Sequence, residues 1–314
     1  MKKLVALVAF FILSFSNVAF GANTFLNMGT AGVAGLYYPV GAAMCKIWNT
    51  NIPGMKANVQ STGGTVQNLQ LMTKGEAELA FTDGSYYDAY NGTGPYKDKP
   101  HSFLRALVTV YAEPINILVA KSSGIKEFAD LKGKRVAVGA VGSGSEVIAR
   151  AMLKIAGIDP DKDIEAHNLT VAEAARAFGD RQIDACIISA AIGTAGITEA
   201  TTMGLVDLIG LPADMVKKIG ELYPYYVPFD LPAGSYKGQD KSVPVFSSWN
   251  IVCIHEGVDT ETVYKMTKLL YENKQAIVNV TPRLEAMDVK NLPHVLIPFH
   301  PGAEKYYKEI GALK

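Results

Sequence analysis

Two long β-like stretches, residues 104–121 and 245–254, constrain this chain more than any other feature. Each is longer than the roughly 5–6 residues of an ordinary strand. The first contains Glu113-Pro114, where an interruption is expected. Between them lies a segment with strand–helix units of its own. A chain that leaves one body along one long strand and returns along another forms two lobes with two crossings, a geometry that permits hinge closure over a cleft. The expected division is lobe 1 over residues 22–115 and 249–314, and lobe 2 over residues 116–248.

The remainder alternates short β-like runs with helical patterns. Strands are predicted at 24–29, 56–60, 78–82, 134–139, 183–189 and 206–211. Helices are predicted at 38–48, 64–74, 145–155, 260–278 and 303–310. Such alternation argues for α/β architecture with parallel sheets. No internal repeat, low-complexity tract or disordered linker interrupts it.

Five loops, each following a predicted strand, carry the candidate chemistry. In open α/β sheets ligands bind at that end of the strands. Loop 29–38 holds Gly29, Thr30, Gly32, Gly35 and Tyr37 before a helix, which suits backbone approach to a ligand and equally an ordinary turn. The second loop sets Ser61, Thr62 and Thr65 around Gly63 and Gly64, with Asn68 just beyond. That is more hydroxyls than one helix cap needs. The third, Thr82-Asp83-Gly84, offers a carboxylate that can hold an ammonium or hydroxyl, or can cap the following helix. The fourth, residues 139–146, places Gly142, Ser143, Gly144 and Ser145 at a helix N-terminus. Its amides and two hydroxyls suit a carboxylate. The fifth runs from Ser189 to Thr194. None of the five contains Arg or Lys, so an anion there would be held by amides and hydroxyls.

Other chemistries fit poorly. The fourth loop has Ser145 and Glu146 where a P-loop needs Lys and Ser or Thr, and Val147 where the dinucleotide fingerprint needs its third glycine. The five histidines form no i, i+4 pair and avoid the glycine loops, so no metal is expected. There is no Gly-x-Ser-x-Gly elbow. Cys186 lies inside an apolar strand and reads as core. The three cysteines, Cys45, Cys186 and Cys253, all sit in apolar contexts as small buried hydrophobes. No catalytic residue and no cofactor is expected.

The N-terminus has Lys2 and Lys3, an apolar run over 4–15 and small residues at Ala19 and Gly21. This is the pattern of a secretory signal peptide cleaved near Gly21. The run is shorter than the ~20 residues a membrane span needs. Basic and acidic residues balance at 30 each, and loss of Lys2 and Lys3 leaves 28 against 30. With no basic patch, nucleic acid is excluded as a partner. The reading is of an exported protein, expected as a monomer in the periplasm.

The loops also resemble a known family, the solute receptors of TRAP transporters of the TAXI type (TRAP-associated extracytoplasmic immunogenic proteins). The resemblance runs through the whole chain after the leader. It rests on loop 29–38, on 62–68 (TGGTVQN), 130–136 (DLKGKRV), 142–145 (GSGS), 183–185 (IDA) and 297–303 (IPFHPGA). It departs at Phe81-Thr82 and at Ala191-Ile192-Gly193-Thr194, both beside the candidate site. The resemblance implies a type II-like periplasmic binding protein fold, with two α/β lobes, a two-crossing hinge and a cleft between them. It implies no enzymatic activity. It also implies a small carboxylate ligand, such as a glutamate-like amino acid or a four- or five-carbon dicarboxylate. The implied partners are the integral membrane subunits of an ion-gradient-driven transporter. Carried over, the pocket draws on Tyr37, Thr62, Thr65, Asn68 and Asp83, with Ser143, Ser145 and Thr194 opposite. An exported sensor of the same fold and a periplasmic hydrolase or transferase are the alternatives.

Overall fold

Residues 24–314 are described here, in a computed structural model. The leader, with its cleavage position, lies outside the described residues. The chain opens with β1 (Thr24–Gly29), α1 (Tyr37–Asn51), β2 (Met55–Gln60), α2 (Thr65–Thr73), β3 (Leu79–Thr82) and α3 (Tyr86–Asn91). Strand β1 runs parallel to both β2 and β3. The long β4 (Leu104–Ala120) then leads to β5 (Arg135–Ala137), α4 (Gly144–Ile155), β6 (Glu165–His167), α5 (Val171–Gly179), β7 (Ala185–Ser189) and α6 (Ala195–Thr202). After β8 (Val206–Leu208), α7 (Ala213–Leu222) and β9 (Val227–Leu231), the long β10 (Val243–His255) returns the chain to α8 (Thr260–Glu272), α9 (Lys274–Val278) and α10 (Pro301–Glu309).

The strands form one curled sheet in the order β2-β1-β3-β10-β4-β7-β5-β6, with β8 on β4 and β9 on β10. Strands β4 and β10 are its two crossings. They pair antiparallel from His255↔Leu104 to Ser247↔Pro114, and beyond Pro114 β4 pairs instead with β7 and β8. The interruption expected at Glu113-Pro114 is therefore a change of neighbours within a continuous strand. Proline has no N–H to give to a ladder, and it stands where the ladder changes partner. We take lobe 1 as the body around β1–β3 and lobe 2 as the body around β5–β7. The apolar clusters divide the same way. Two draw on residues 26–111 and 251–313, two on residues 115–246, and only Ala191 and Tyr87 cross over.

Side-chain caps start four of the described α-helices, α4, α5, α8 and α10. Ser143 caps α4 by accepting from the Glu146 amide, and Thr170 with Glu173 forms a reciprocal capping box on α5. The helix expected over 260–278 divides at Asn273 into α8 and α9. Helices α3, α5, α6 and α7 and strands β6 and β9 were absent from the sequence reading. The Thr170-x-x-Glu173 capping box was the available signal for α5.

All three cysteines are free and buried. Burial pushes each thiol up to about 12, which removes the reactive thiolate at neutral pH. Ellman's reagent is expected to titrate no thiol in the native protein and three after denaturation. Fast labelling of even one native thiol would contradict this burial.

Candidate functional site

A cavity of about 410 Å³ lies between the lobes, within the size range of small-molecule sites. Lobe 1 contributes residues 31–37, the turn before α2, and Asp83. Lobe 2 contributes Ser143, Gly144 and Ser145 at the start of α4, the first turn of α5, and Ser189, Ala190 and Thr194. Its floor is Tyr111 and Glu113, on the crossing strand β4.

The lobes touch around this cavity. The Gln67 amide donates to the Gly142 carbonyl at 3.2 Å. Tyr225 donates its hydroxyl to the buried Asp88 at 2.7 Å. The Asp83 carboxylate packs against the Cα of Gly144, where any Cβ would overlap it.

On the lobe 2 side the Gly144 and Ser145 amides make no hydrogen bond among the described residues. They are the first two amides of a twelve-residue helix and face the cavity with its positive dipole end. The serine hydroxyls beside them are engaged elsewhere. Ser143 Oγ donates to the Ala140 carbonyl at 2.7 Å while accepting the Glu146 amide at 3.1 Å. Ser145 Oγ accepts the Ser189 amide at 3.1 Å. An anion here would be held by main-chain amides more than by serine hydroxyls.

On the lobe 1 side Asp83 is buried, and burial raises its carboxyl against the lowering hydrogen bonds from Ser85. Its Oδ1 accepts from the Ser85 amide at 3.0 Å and from the Ser85 hydroxyl. Its own amide donates to Thr65 Oγ1 at 3.0 Å. Asp83 is thus both a turn-former ahead of α3 and part of the cavity wall.

The floor carries a second buried acid. Glu113 Oε2 accepts from Asn250 Nδ2 at 3.0 Å and from the Tyr37 hydroxyl at 3.3 Å. Burial pushes its carboxyl up to about 7, with the Asp83 charge adding to the rise and the Asn250 bond opposing it. The buried Tyr111 hydroxyl and Ser189 Oγ have no hydrogen-bond partner among the described residues. The one cationic side chain lining the cavity is Arg176, exposed in the last turn of α5 one turn after Glu173.

Of the expected site residues, Tyr37, Thr65, Asp83, Ser143, Gly144, Ser145, Ser189 and Thr194 line this one cavity. Thr30, Thr62, Asn68, Thr82 and Gly142 do not, because their polar groups are taken up in the frame behind it. Asn68 Nδ2 donates to the Thr30 and Phe81 carbonyls at 2.6 and 2.8 Å, while its Oδ1 accepts from Thr62 at 2.6 Å. Gly29 permits this, since a Cβ there would strike the Asn68 side chain. Thr30 Oγ1 donates to Gln60 O, Thr82 Oγ1 to Ile251 O, and the Gly142 amide to Glu146 Oε2. Asn68→Ala is expected to destabilise the protein by about 2–3 kcal/mol, since it removes three buried hydrogen bonds, to the Thr30 and Phe81 carbonyls and from Thr62. Urea unfolding measures this, and a loss below roughly 0.5 kcal/mol would contradict the framing role.

Sequence reasoning missed Tyr111, Glu113 and Arg176. Glu113 had a visible signal, a carboxylate inside an otherwise apolar strand. Such a residue stays buried only with partners.

A mixed α/β molecule with two lobes, two strand crossings and a cavity between the lobes at the strand ends has the type II-like periplasmic binding protein fold. The chain belongs to the NMT1-like family, matched over residues 28–311. Among solved structures, one described for glutathione import via GshT and the cystine ABC importer TcyBC of Streptococcus mutans is similar. It has 14% identity and a TM-score of 0.52, covering 83% of this chain and 95% of that one. A protein from Bordetella bronchiseptica RB50 matches at 15% identity and a TM-score of 0.51, covering 92% and 89%. At these identities the likeness carries the fold. The transporter named with the Streptococcus structure is of the ABC class, whereas the motifs described above resemble TRAP receptors.

Proposed function

We propose that this protein is an exported receptor that captures a small carboxylate between its lobes and passes it to an importer in the membrane. The observation that carries the reading is the pair of unpartnered Gly144 and Ser145 amides at the N-terminus of α4, opening onto a cavity of about 410 Å³. Main-chain amides at a helix N-terminus favour an anion without any arginine. The signal-peptide pattern over residues 1–21 supports a periplasmic location, and among the described residues no helix is long and apolar enough to cross a membrane.

The ligand class is a glutamate-like amino acid or a four- or five-carbon dicarboxylate. Mass spectrometry of small molecules released from freshly purified, denatured protein tests this. A carboxylate at one per chain is expected, and a sugar or nucleoside would overturn the reading.

For the partner we propose the integral membrane subunits of a TRAP-type transporter, on the TAXI-like motifs. An ABC importer is the second reading, favoured by the Streptococcus mutans likeness. Uptake by spheroplasts supplied with the purified receptor separates the two. Loss of uptake on collapsing ion gradients with ATP maintained supports the first. Loss only on depleting ATP supports the second.

A further inference from the structure

The cavity floor contains more polar chemistry than a carboxylate site needs. Glu113 is buried to 8% exposure on β4, one residue before that strand changes partner. Beside it the Tyr111 hydroxyl and Ser189 Oγ are buried, line the cavity and lack partners. No Lys, Arg or His among the described residues lines the floor, and Arg176 is exposed on α5. A buried carboxylate without a cation is unfavourable until something supplies one.

Asp83 is a poor receiver for that charge. One of its oxygens is held by the Ser85 amide and hydroxyl, and the other faces the Cα of Gly144. Glu113 keeps its carboxyl on the cavity, with the neutral donors Asn250 and Tyr37 on Oε2 and the Ser189 hydroxyl close beside it. A metal ion is not favoured, since no group of three metal-ligating side chains occurs among the described residues.

We propose that Glu113 is the residue that receives a protonated amine of the solute, with the Tyr111 and Ser189 hydroxyls completing that subsite. The solute is then a zwitterion, an amino acid in place of a dicarboxylate. Its carboxylate lies at the α4 amides and its ammonium at the floor. This rests on the reading of the cavity as a carboxylate site. Specificity for an amine over a keto group resides in Glu113, because only an ammonium offsets the charge of the buried carboxylate.

The groups facing Glu113 are Tyr37 from α1, Asp83 after β3, Tyr111 on its own strand, Tyr226 before β9, and the neutral Asn250 and Ser189. The tyrosines are all raised by burial, so among these groups Glu113 is the one that titrates near 7, with the Asp83 carboxyl also raised by burial. With the Glu113 carboxyl up at about 7, an incoming ammonium drives a bound proton off it.

The test uses matched probes on the mature protein: glutamate, 2-oxoglutarate, leucine, 4-methyl-2-oxopentanoate and the simple amine butylamine. Calorimetry at pH 7 in two buffers of different ionisation enthalpy reads proton release. A 2-amino acid is expected to bind with release of a fraction of a proton and its oxo analogue with none. Glu113→Gln is expected to weaken the amino acid by about 10- to 100-fold and to abolish its proton release. Oxo acids binding as well as amino acids, with no proton release in the wild type, would overturn the assignment while leaving the carboxylate reading intact. Butylamine stabilising wild type but not Glu113→Gln, with no acid binding, would uphold Glu113 and sink the carboxylate reading. Binding of no probe would sink both. Should Glu113→Gln fail to fold, the wild-type discrimination and proton release decide alone.

Discussion

Gly144→Ala is expected to hold the lobes apart and to weaken ligand binding by roughly 100-fold or more, about 3 kcal/mol. A Cβ at this position would overlap the Asp83 carboxylate. Asp83 cannot swing clear without losing both Ser85 bonds in a buried setting. The strain is therefore relieved by lobe 2 backing away, which also breaks the 3.2 Å bond from the Gln67 amide to Gly142 O. Ligand-free stability should change little, because alanine is a good helix former at the first position of α4. Small-angle scattering with and without saturating ligand reads closure, and calorimetry reads affinity. Asp83→Ala in the same chain should recover part of the closure. Wild-type affinity in Gly144→Ala would show that the contact with Asp83 does not govern closure.

Glu113 is expected to give the ligand-free protein a stability that falls as pH rises. Its carboxyl moves from an ordinary 4.5 to about 7 in the fold, so between those values the native state holds a proton that the unfolded chain has lost. The contribution is fully present below about pH 4.5 and is lost as pH rises through about 7. The span corresponds to on the order of 3 kcal/mol. Glu113→Gln keeps the shape and removes the titration. The stability difference between wild type and variant, from urea unfolding at pH 5 and pH 8, should move by that amount in favour of the variant at pH 8. Asp83 is present in both proteins and largely cancels. A difference independent of pH would mean that Glu113 does not hold its proton in the fold.

Much of the architecture was legible because strand and helix periodicities are local. The runs that became β1, β2, β3 and α4 read directly from short windows, and the long crossing strands announced two lobes. Helix α6 has a weak apolar periodicity, but α5 and α7 went unread although their buried residues recur at helical spacing, Ala174, Ala175 and Phe178 in one and Met215, Val216 and Ile219 in the other. The glycine loops were legible as candidates because hydroxyls and glycines cluster after strands, and eight of the residues named from them line one cavity. Which hydroxyls face the cavity was not. Thr62 and Thr65 lie three residues apart in one loop, yet Thr62 bonds back to Thr30 and Asn68 while Thr65 lines the cavity and receives the Asp83 amide.

By itself the sequence determined that this chain makes alternating α/β units, with loops rich in glycine and hydroxyl residues at the strand ends. Those properties follow from residue type and spacing along the chain. Only the tertiary structure decided that the serine hydroxyls are engaged in capping and cross-links, that Asp83 abuts Gly144 across the lobes, and that Glu113 sits at the floor. Each depends on pairs far apart in sequence, such as Asn250 with Glu113 and Asp83 with Gly144. A buried carboxylate's role is set by which donors and charges surround it in space, and no local window contains them.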